Sequence, residues 1–355
     1  MLSYTVYHGM FLSSLSSLLI TPSASNDEWV SDTSRRHKAH IRRQEVFATG
    51  QIGEPGHEAA DGQIDEAANG QIDEAGKSQI AGIDPMVKIF VYELPSRFNS
   101  DLMSMTSWHE SSYDADVHLH EKLMNHSCRT FIPDKADFFF VPVYGTRFLH
   151  KTLYGDPNQK KDWYTAANAT ADLYKSVLHY LDHWDRGASR HIFAMTHDVG
   201  RALLGTNEEM NDVISLQHKG AKPSANDIII PPYVVPSPDP WPAQRNLFAV
   251  FRGSMSDNRY HVRKALLAKY HNHPDIHVWD KDADSWKAEL LDSSFCLVPS
   301  GLEEWSFRYY EASFRGCIPV MINQDYNTMP WEKMLRYGEF TLRINASESS
   351  WFDNL

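Results

Sequence analysis

The stretch SSFCLVPSGLEEWSFRYYEASFRGCIPVMIN, residues 293–323, contains the strongest fold signal in the chain. Within it, Phe295–Val298 is a short apolar run followed by Pro, Ser and Gly, which predicts a strand buried on both faces and then a turn. Trp305–Arg315 spaces its apolar residues along one side of a helix, and the next residue is glycine, a common helix stop. Cys317–Ile322 predicts a second strand. The segment is therefore expected to form a β-α-β unit with parallel strands.

The loop and the helix start of this unit carry groups that suit an anionic, nucleotide-like ligand. A helix that leaves the carboxyl end of a parallel strand directs unpaired N–H groups and a partial positive charge toward the crevice where such sheets bind ligands. Ser300 and Gly301 lie in the loop, and Ser306 is expected to cap the helix. Arg308 offers a charged fork to phosphate oxygens, and Glu311, one turn later, is placed to accept from ribose hydroxyls. The alternative is that these two residues only pair with each other, a contact worth about 0.2–0.5 kcal/mol.

The chain before this unit alternates strand-like and helix-like segments, which predicts a mostly parallel sheet. A proline-rich segment at residues 236–242 is expected to join two domains. The predicted strands and the predicted helix lie, in chain order, at Lys88–Tyr92, Ala136–Val143, Thr165–Tyr180 (helix), His191–Met195 and Asp227–Pro232.

His197 and Asp198 follow the predicted strand His191–Met195, at the edge of the sheet where ligands bind. A carboxylate beside a substrate hydroxyl is a competent general base, and a neighbouring imidazole can replace or orient it. We predict Asp198 as the base in preference to His197. The alternative is that Asp198 caps a helix or stabilises a turn, because Asp-x-Gly is common after strands.

Arg252 follows another strand and precedes Gly253, which lets backbone approach a ligand closely. Arg252 is predicted to bind the diphosphate of a nucleotide-like ligand together with Arg308. An arginine that simply lies on the surface at a strand end is the alternative.

No Asp-x-Asp sequence follows a predicted strand in the expected cleft, so no metal site is predicted. Asp114-Ala115-Asp116 and Asp282-Ala283-Asp284 have that spacing but lie in polar surroundings, and both are interpreted as solvated turns. The pairs His118/His120 and His271/His273 are interpreted as incidental in a chain with 18 histidines.

The acidic charge of the chain is concentrated before the predicted fold. Residues 26–86 contain 12 Asp and Glu against 6 Lys and Arg, which is half of the net charge of −12. The repeats in residues 50–77 have few apolar residues, so a disordered spacer is predicted. Residues 10–20 are too short and too serine-rich for a spanning helix, and no Lys or Arg precedes Arg35, so residues 1–25 are at most a weak signal or anchor. The absence of a basic stripe excludes nucleic acid as an expected partner.

The three cysteines leave at least one thiol unpaired. Cys296 and Cys317 begin the two strands of the residue 293–323 unit, so a disulfide is possible if those strands are neighbours. Two buried thiols are the preferred alternative, and Cys128 has no evident mate. Sequons at Asn125, Asn168 and Asn345 are compatible with a glycosylated lumenal chain.

Five further blocks, in order, resemble exostosin-type glycosyltransferases of family 47, including plant cell-wall members. Together with the residue 293–323 unit they cover residues 87 to about 335. The blocks are Val87–Asn99, Arg129–Gly145, His191–Gly200, Asp227–Val234 and Arg245–Gly253. The resemblance implies a GT-B arrangement, in which two Rossmann-like α/β domains face a cleft.

The resemblance also implies the activity: inverting transfer of a sugar from a UDP-sugar to a polysaccharide or glycan hydroxyl, without a metal cofactor. Arg252 resembles a basic position after the first strand of the family's donor domain, which implies that it stabilises the leaving nucleotide together with Arg308. It implies a Golgi lumenal enzyme with an acceptor domain at 87–237 and a donor domain at 238–355, preceded by a stem at 26–86. The chain ends soon after residues 340–342, so a shortened donor domain is expected. Glu303 and Glu304, in the loop expected to meet diphosphate, depart from relatives that have basic residues there. The alternative function is an inactive partner subunit of other Golgi glycosyltransferases.

Overall fold

The computed structural model describes residues 87–103, 112–156, 161–220, 223–234, 241–257, 261–280, 286–301, 303, 305–322 and 328–345. These residues belong to one unit, Val87–Leu355. The predicted anchor and stem lie outside the described residues, as does most of the predicted crossing at 236–242. None of the helices in the described part has the length and hydropathy of a transmembrane span.

The first part of the unit is a six-stranded parallel sheet with helices. Its strands pair in the order β2-β1-β3-β4-β5-β6. In chain order the elements are β1 Ile89–Val91, α1 Ala115–Met124, β2 Arg129–Thr130, β3 Phe138–Val141, α2 Gly145–Tyr154, α3 Trp163–Val177, β4 His191–Met195, β5 Ile214–Gln217 and β6 Asp227–Ile229.

The second part is a five-stranded parallel sheet, in the order β11-β10-β9-β7-β8. Its elements are β7 Leu247–Arg252, α4 His261–Tyr270, β8 Ile276–Trp279, α5 Trp286–Asp292, β9 Ser293–Pro299, α6 Arg308–Phe314, β10 Ile318–Ile322 and β11 Leu342–Ile344. Short 3-10 helices occur at Ser96–Phe98, Ser100–Leu102, Pro133–Lys135, Leu178–Tyr180, Trp184–Arg186, Ala188–Arg190, Gly200–Leu204, Glu208–Met210 and Tyr337–Glu339.

Each sheet has its own apolar core, since both faces of a parallel sheet must be covered. All five residues of β4 are buried, as the continuous run HIFAM predicts. In the first core, Phe139, Phe193 and Tyr174 are fully buried. In the second, Leu266 of α4 and Val320 of β10 are fully buried. Burial of each large apolar side chain stabilises the fold by about 1.5–3 kcal/mol, so each sheet is held mainly by its own core.

The β-α-β prediction for residues 293–323 is confirmed in outline, and Gly316 ends α6 with a φ of 67°. The helix begins at Arg308, however, and not at Trp305. Phe307 is the residue that precedes it, with no side-chain cap, so the prediction that Ser306 caps the helix is wrong. Trp305 is instead buried before the helix begins, with its ring 5.1 Å from that of His218.

Cys296 and Cys317 form a disulfide with a Cα–Cα distance of 5.8 Å. The preference for two buried thiols is therefore wrong. The physical reason is the register of β9 against β10, which places Cys296 opposite Pro319, two residues from Cys317. Cys128 is a buried free thiol.

The interpretation of Asp114-Ala115-Asp116 as a solvated turn is also wrong. Both carboxylates are buried at the start of α1, where Asp114 pairs with Arg147 Nη2 at 2.8 Å. Burial, and then the charge of Asp114, raises the pKa of Asp116 to about 8, although Arg147 opposes the rise. The sequence gives no sign of this burial because the partner arginine comes from another helix, α2. The Asp282–Asp284 segment lies outside the described residues.

Candidate functional site

The candidate donor residues lie at the carboxyl edge of the second sheet. There β7 and β9 are neighbours, although α4, β8 and α5 separate them in the chain. Read from its other edge, the sheet has the strand order β8-β7-β9-β10-β11. If these five strands are renumbered 1 to 5 in chain order, the order is 2-1-3-4-5. In this topology the connections that follow strands 1 and 3 leave in opposite directions. A crevice forms at that point, and ligands of open parallel sheets bind there. Ser300 and Gly301 follow β9 and Gly253 follows β7, so the structure brings the two loops to one place.

Arg308 is the first residue of α6, and its Nε donates to the backbone carbonyl of Arg252 at 2.9 Å. Its guanidinium carbon lies 5.9 Å from the Phe251 ring centre. A side chain in place of Gly253 would come within 2.9 Å of Arg308 Nη2, so the glycine leaves room for the guanidinium. The structure thus places Arg308 beside the loop after β7, and its role in diphosphate binding stays a prediction.

Arg252 occupies a different environment from the one predicted. Its Nε donates to Glu289 Oε2 at 2.6 Å, and its Nη2 donates to Glu289 Oε1, so its side chain is engaged by α5. Arg308 therefore contacts the backbone carbonyl of Arg252, while the Arg252 guanidinium is bound by Glu289. Arg252 is also not a simple surface arginine, because its side chain is only 14% exposed. Its role in diphosphate binding stays a prediction.

Arg263 is a third arginine at this edge, and the sequence reasoning missed it. Its Nη1 donates to Ser254 O at 3.1 Å and its Nε to Ser300 O at 3.2 Å, so one guanidinium ties the loop after β7 to the loop after β9. Arg263 is only 5% exposed. Its spacing from Leu266 and Tyr270 could have revealed it, because this spacing places a charged residue on the buried face of α4.

The remaining predicted donor residues lie close to this edge. Ser300 N donates to Ile322 O, and Gly301 N donates to Glu303 O at 3.1 Å. Ser306 is half-buried just before α6, and Glu311 is buried one turn after Arg308. Their contacts to ribose or phosphate stay predictions.

Glu303, which departs from the basic residues of some relatives, pairs with Lys219 Nζ at 2.9 Å. The Lys219 charge offsets that of the Glu303 carboxylate, which points to the loop after β5. The cost of a negative charge near a phosphate is thereby reduced. Glu304 lies outside the described residues.

His197 and Asp198 lie at the carboxyl end of β4, in the first sheet. Gly200 turns the chain immediately afterwards with a φ of 51°, and a side chain at that position would collide with Gln217. Val199, not Asp198, precedes the following 3-10 helix, and no side chain caps it. Asp198 Oδ1 instead accepts from Tyr113 OH at 2.9 Å. The alternative that Asp198 is a helix cap is therefore wrong.

The electrostatics of the pair separate the two candidates. Burial raises the pKa of Asp198, while the Tyr113 hydroxyl, the Trp305 indole and the Lys219 charge oppose the rise. Trp305 Nε1 has no hydrogen-bond partner among the described residues, so the Tyr113 hydroxyl is the one donor whose bond to Asp198 the geometry supports. Burial lowers the pKa of His197 to about 4, so the imidazole is neutral near pH 7.

The hydrogen bond at His197 assigns a tautomer to this neutral ring. Val199 N–H donates to His197 Nδ1 at 3.4 Å, which places the ring proton on Nε2. A protonated Nε2 is a donor and cannot accept a proton. The Nδ1 lone pair is in turn engaged by Val199 N–H, so Asp198 stays the predicted base.

Two other features of the described residues bear on ligands. No group of three or more His, Cys, Asp or Glu side chains in these ranges is arranged to hold a metal ion. A depression of about 570 Å³ lies at the opposite, amino-terminal edge of β7, β8 and β9, lined in part by Leu247, Tyr270 and Ile276. Because it is remote from the candidate residues, we assign it no part in the site.

Comparison with known proteins identifies the family. Residues 83–351 match the Exostosin GT47 domain. A probable glucuronosyltransferase of Oryza sativa subsp. japonica is 32% identical over 290 residues, which cover 73% of this chain and 66% of the relative.

Two proteins of Arabidopsis thaliana are also similar. A probable glucuronoxylan glucuronosyltransferase, F8H, is 30% identical over 74% of this chain and 62% of the relative. A probable beta-1,4-xylosyltransferase, IRX10L, is 28% identical over 70% of this chain and 67% of the relative. The chain thus spans slightly less than two thirds of the first two relatives. Because the family match includes nearly all of residues 87–355, the chain belongs to the exostosin GT47 family, and its resemblance to plant members is confirmed.

Proposed function

We propose that this chain is an inverting glycosyltransferase that moves a sugar from a UDP-sugar to a hydroxyl of a polysaccharide or glycan. The observation that carries the proposal is the crevice between β7 and β9, where Arg308 and the loops joined by Arg263 meet. Diphosphate matches the guanidinium and backbone N–H groups of such an edge. The names of the plant relatives, which are probable glucuronosyl- and xylosyltransferases, support a sugar donor and a polysaccharide acceptor.

The two sheets are proposed to be the halves of a GT-B fold that face one cleft, with a division near residues 237 and 238. Contacts between residues of the two parts support this arrangement. Lys219 pairs with Glu303, and the Tyr113 and Trp305 rings lie 6.4 Å apart. These contacts lie beside Asp198, so an acceptor on the first half would reach a donor held by the second.

In the proposed reaction the acceptor hydroxyl oxygen attacks the anomeric carbon of the donor while the bond from that carbon to the UDP oxygen breaks. Asp198 takes the hydroxyl proton, and UDP leaves with the bonding electron pair. The Arg308 guanidinium stabilises the negative charge that develops on the diphosphate. This fixed positive charge is the reason to expect no metal requirement.

The proposed location is the lumen of the Golgi, with residues 26–86 as a stem and an N-terminal anchor in residues 1–25 left open. The Cys296–Cys317 disulfide supports an oxidising compartment. The sequon residues Asn125 and Asn168 are exposed, which is compatible with glycosylation.

UDP binding tests the proposal, measured by calorimetry on the full chain secreted from a eukaryotic host, with and without EDTA. We expect EDTA-insensitive binding that Arg308→Ala abolishes. Arg336→Ala is the matched control, because Arg336 is 76% exposed and pairs with Glu339 on the surface. Asp198→Asn should keep UDP affinity and lose transfer. If the folded wild-type chain does not bind UDP, the inactive partner subunit becomes the better description.

A further inference from the structure

We propose that the exposed rings of Tyr154 and Trp163 form an acceptor platform, on which a sugar ring of a β-linked polysaccharide stacks beside His197 and Asp198. This inference rests on the proposed function and adds a site for the acceptor chain. It assigns these two aromatic residues to the acceptor and not to the nucleotide donor.

The two rings are the exposed ends of a connected aromatic array. Trp163 is 38% exposed, and its ring lies 5.2 Å from that of His197. Tyr154 is 55% exposed, and its ring lies 6.1 Å from that of His150. His150 in turn lies 5.6 Å from His197, and Tyr113 stacks on His197 at 5.7 Å. The platform is thus continuous with the candidate catalytic pair.

The two rings of the platform belong to two helices. Tyr154 is the last residue of α2 and Trp163 is the first residue of α3. Asp162 caps α3 by accepting from Thr165 N at 3.0 Å, which fixes the helix start and with it the position of Trp163. A platform fixed before binding loses little entropy when a ligand stacks on it.

The charge of the array selects the ligand class. Burial lowers the pKa values of both His150 and His197 to about 4, so both imidazoles are neutral near pH 7. A neutral aromatic surface suits the apolar C–H face of a sugar ring and gives no attraction to diphosphate. The donor would instead be held by Arg308 in the second sheet, so the two substrates would use chemically distinct surfaces.

Calorimetry with xylohexaose and, separately, with UDP tests the inference on the full chain. Trp163→Ala should weaken xylohexaose binding about tenfold and Tyr154→Ala should weaken it several-fold. Trp163→Phe, which keeps a stacking face, should recover much of the affinity. Tyr164→Ala is the matched control: Tyr164 is 79% exposed, and one step along α3 turns it about 100° away from Trp163. The control should bind xylohexaose as the wild type does.

All of these variants should keep wild-type UDP affinity, because the mutated rings lie outside the donor site. If the wild type binds UDP but does not bind xylohexaose, or if it binds both and Trp163→Ala leaves xylohexaose binding unchanged, the platform is refuted and the proposed donor site stands. If the wild type binds xylohexaose in a Trp163-dependent manner but does not bind UDP, the proposed transferase function fails and the platform stands.

Discussion

Asp116→Asn should stabilise the protein, and by more as the pH rises. Asp116 is only 1% exposed, and its Oδ2 has no hydrogen-bond partner among the described residues. Its pKa is raised from 3.8 to about 8, so between these values the folded chain keeps a proton that the unfolded chain has lost. The stability from the protonated group is complete below about pH 4 and is lost as the pH rises toward 8, at about 1.4 kcal/mol per pH unit.

The magnitude follows from this slope. At pH 7, roughly three pH units above the unfolded pKa, the loss amounts to about 4 kcal/mol, and at pH 5 to about 1.5 kcal/mol. Asparagine has nearly the same shape and does not titrate, so Asp116→Asn should be more stable than the wild type by about these amounts. Urea unfolding of both proteins at pH 5, 6, 7 and 8 measures the difference.

Asp114→Asn is the matched comparison at the same helix start. It removes the partner of a buried arginine and should destabilise the fold by about 3–5 kcal/mol, because Arg147 is paired with Asp114 at 2.8 Å. Equal pH slopes for the wild type and Asp116→Asn would refute the argument that Asp116 is protonated in the folded chain.

Three further predictions concern the site and its support. Because burial raises the pKa of Asp198, kcat/KM should fall on acidification through a pKa above the usual aspartate value. Tyr113→Phe should move that limb to higher pH, since it removes a hydrogen bond that lowers this pKa; a limb that does not move contradicts Asp198 as the base. Arg263→Ala should raise the KM for the donor about tenfold and leave the acceptor KM unchanged, because Arg263 joins the loops after β7 and β9. Arg263→Lys should restore little, because an ammonium lacks the planar fork, and equal effects on both KM values would argue for a general loss of structure. Cys296→Ser should lower the free energy of unfolding by about 3 kcal/mol, and a reducing agent should then have no further effect on urea unfolding.

The sequence predicts the elements that are continuous and apolar. The run IFAM of β4, which follows His191, and the run FCLV within β9 are fully apolar, and both strands are present. It does not predict β5, whose residues include Ser215 and Gln217, because polar side chains interrupt the pattern although both are buried. Their burial depends on neighbouring strands that are distant in the chain.

The sequence predicts only the part of the candidate site that lies within one β-α-β unit. Arg308 and the loop after β9 belong to a single β-α-β unit, so their proximity follows from local order. The pairing of Arg252 with Glu289 depends on the packing of α5 against the sheet. The contacts of Arg263 with the two loops depend in the same way on the packing of α4. Such contacts join residues far apart in sequence, and only the fold determines them.

The Cys296–Cys317 disulfide covalently closes the segment that carries several of the candidate donor residues. Ser300, Gly301 and Arg308 all lie between the two cysteines, so the bond encloses them in a covalent ring. A chain that folds without this bond would carry the same proposed phosphate-binding groups on a segment that is not covalently closed. If these residues bind the donor as proposed, the redox state of the compartment in which the chain folds would influence how firmly the donor is held.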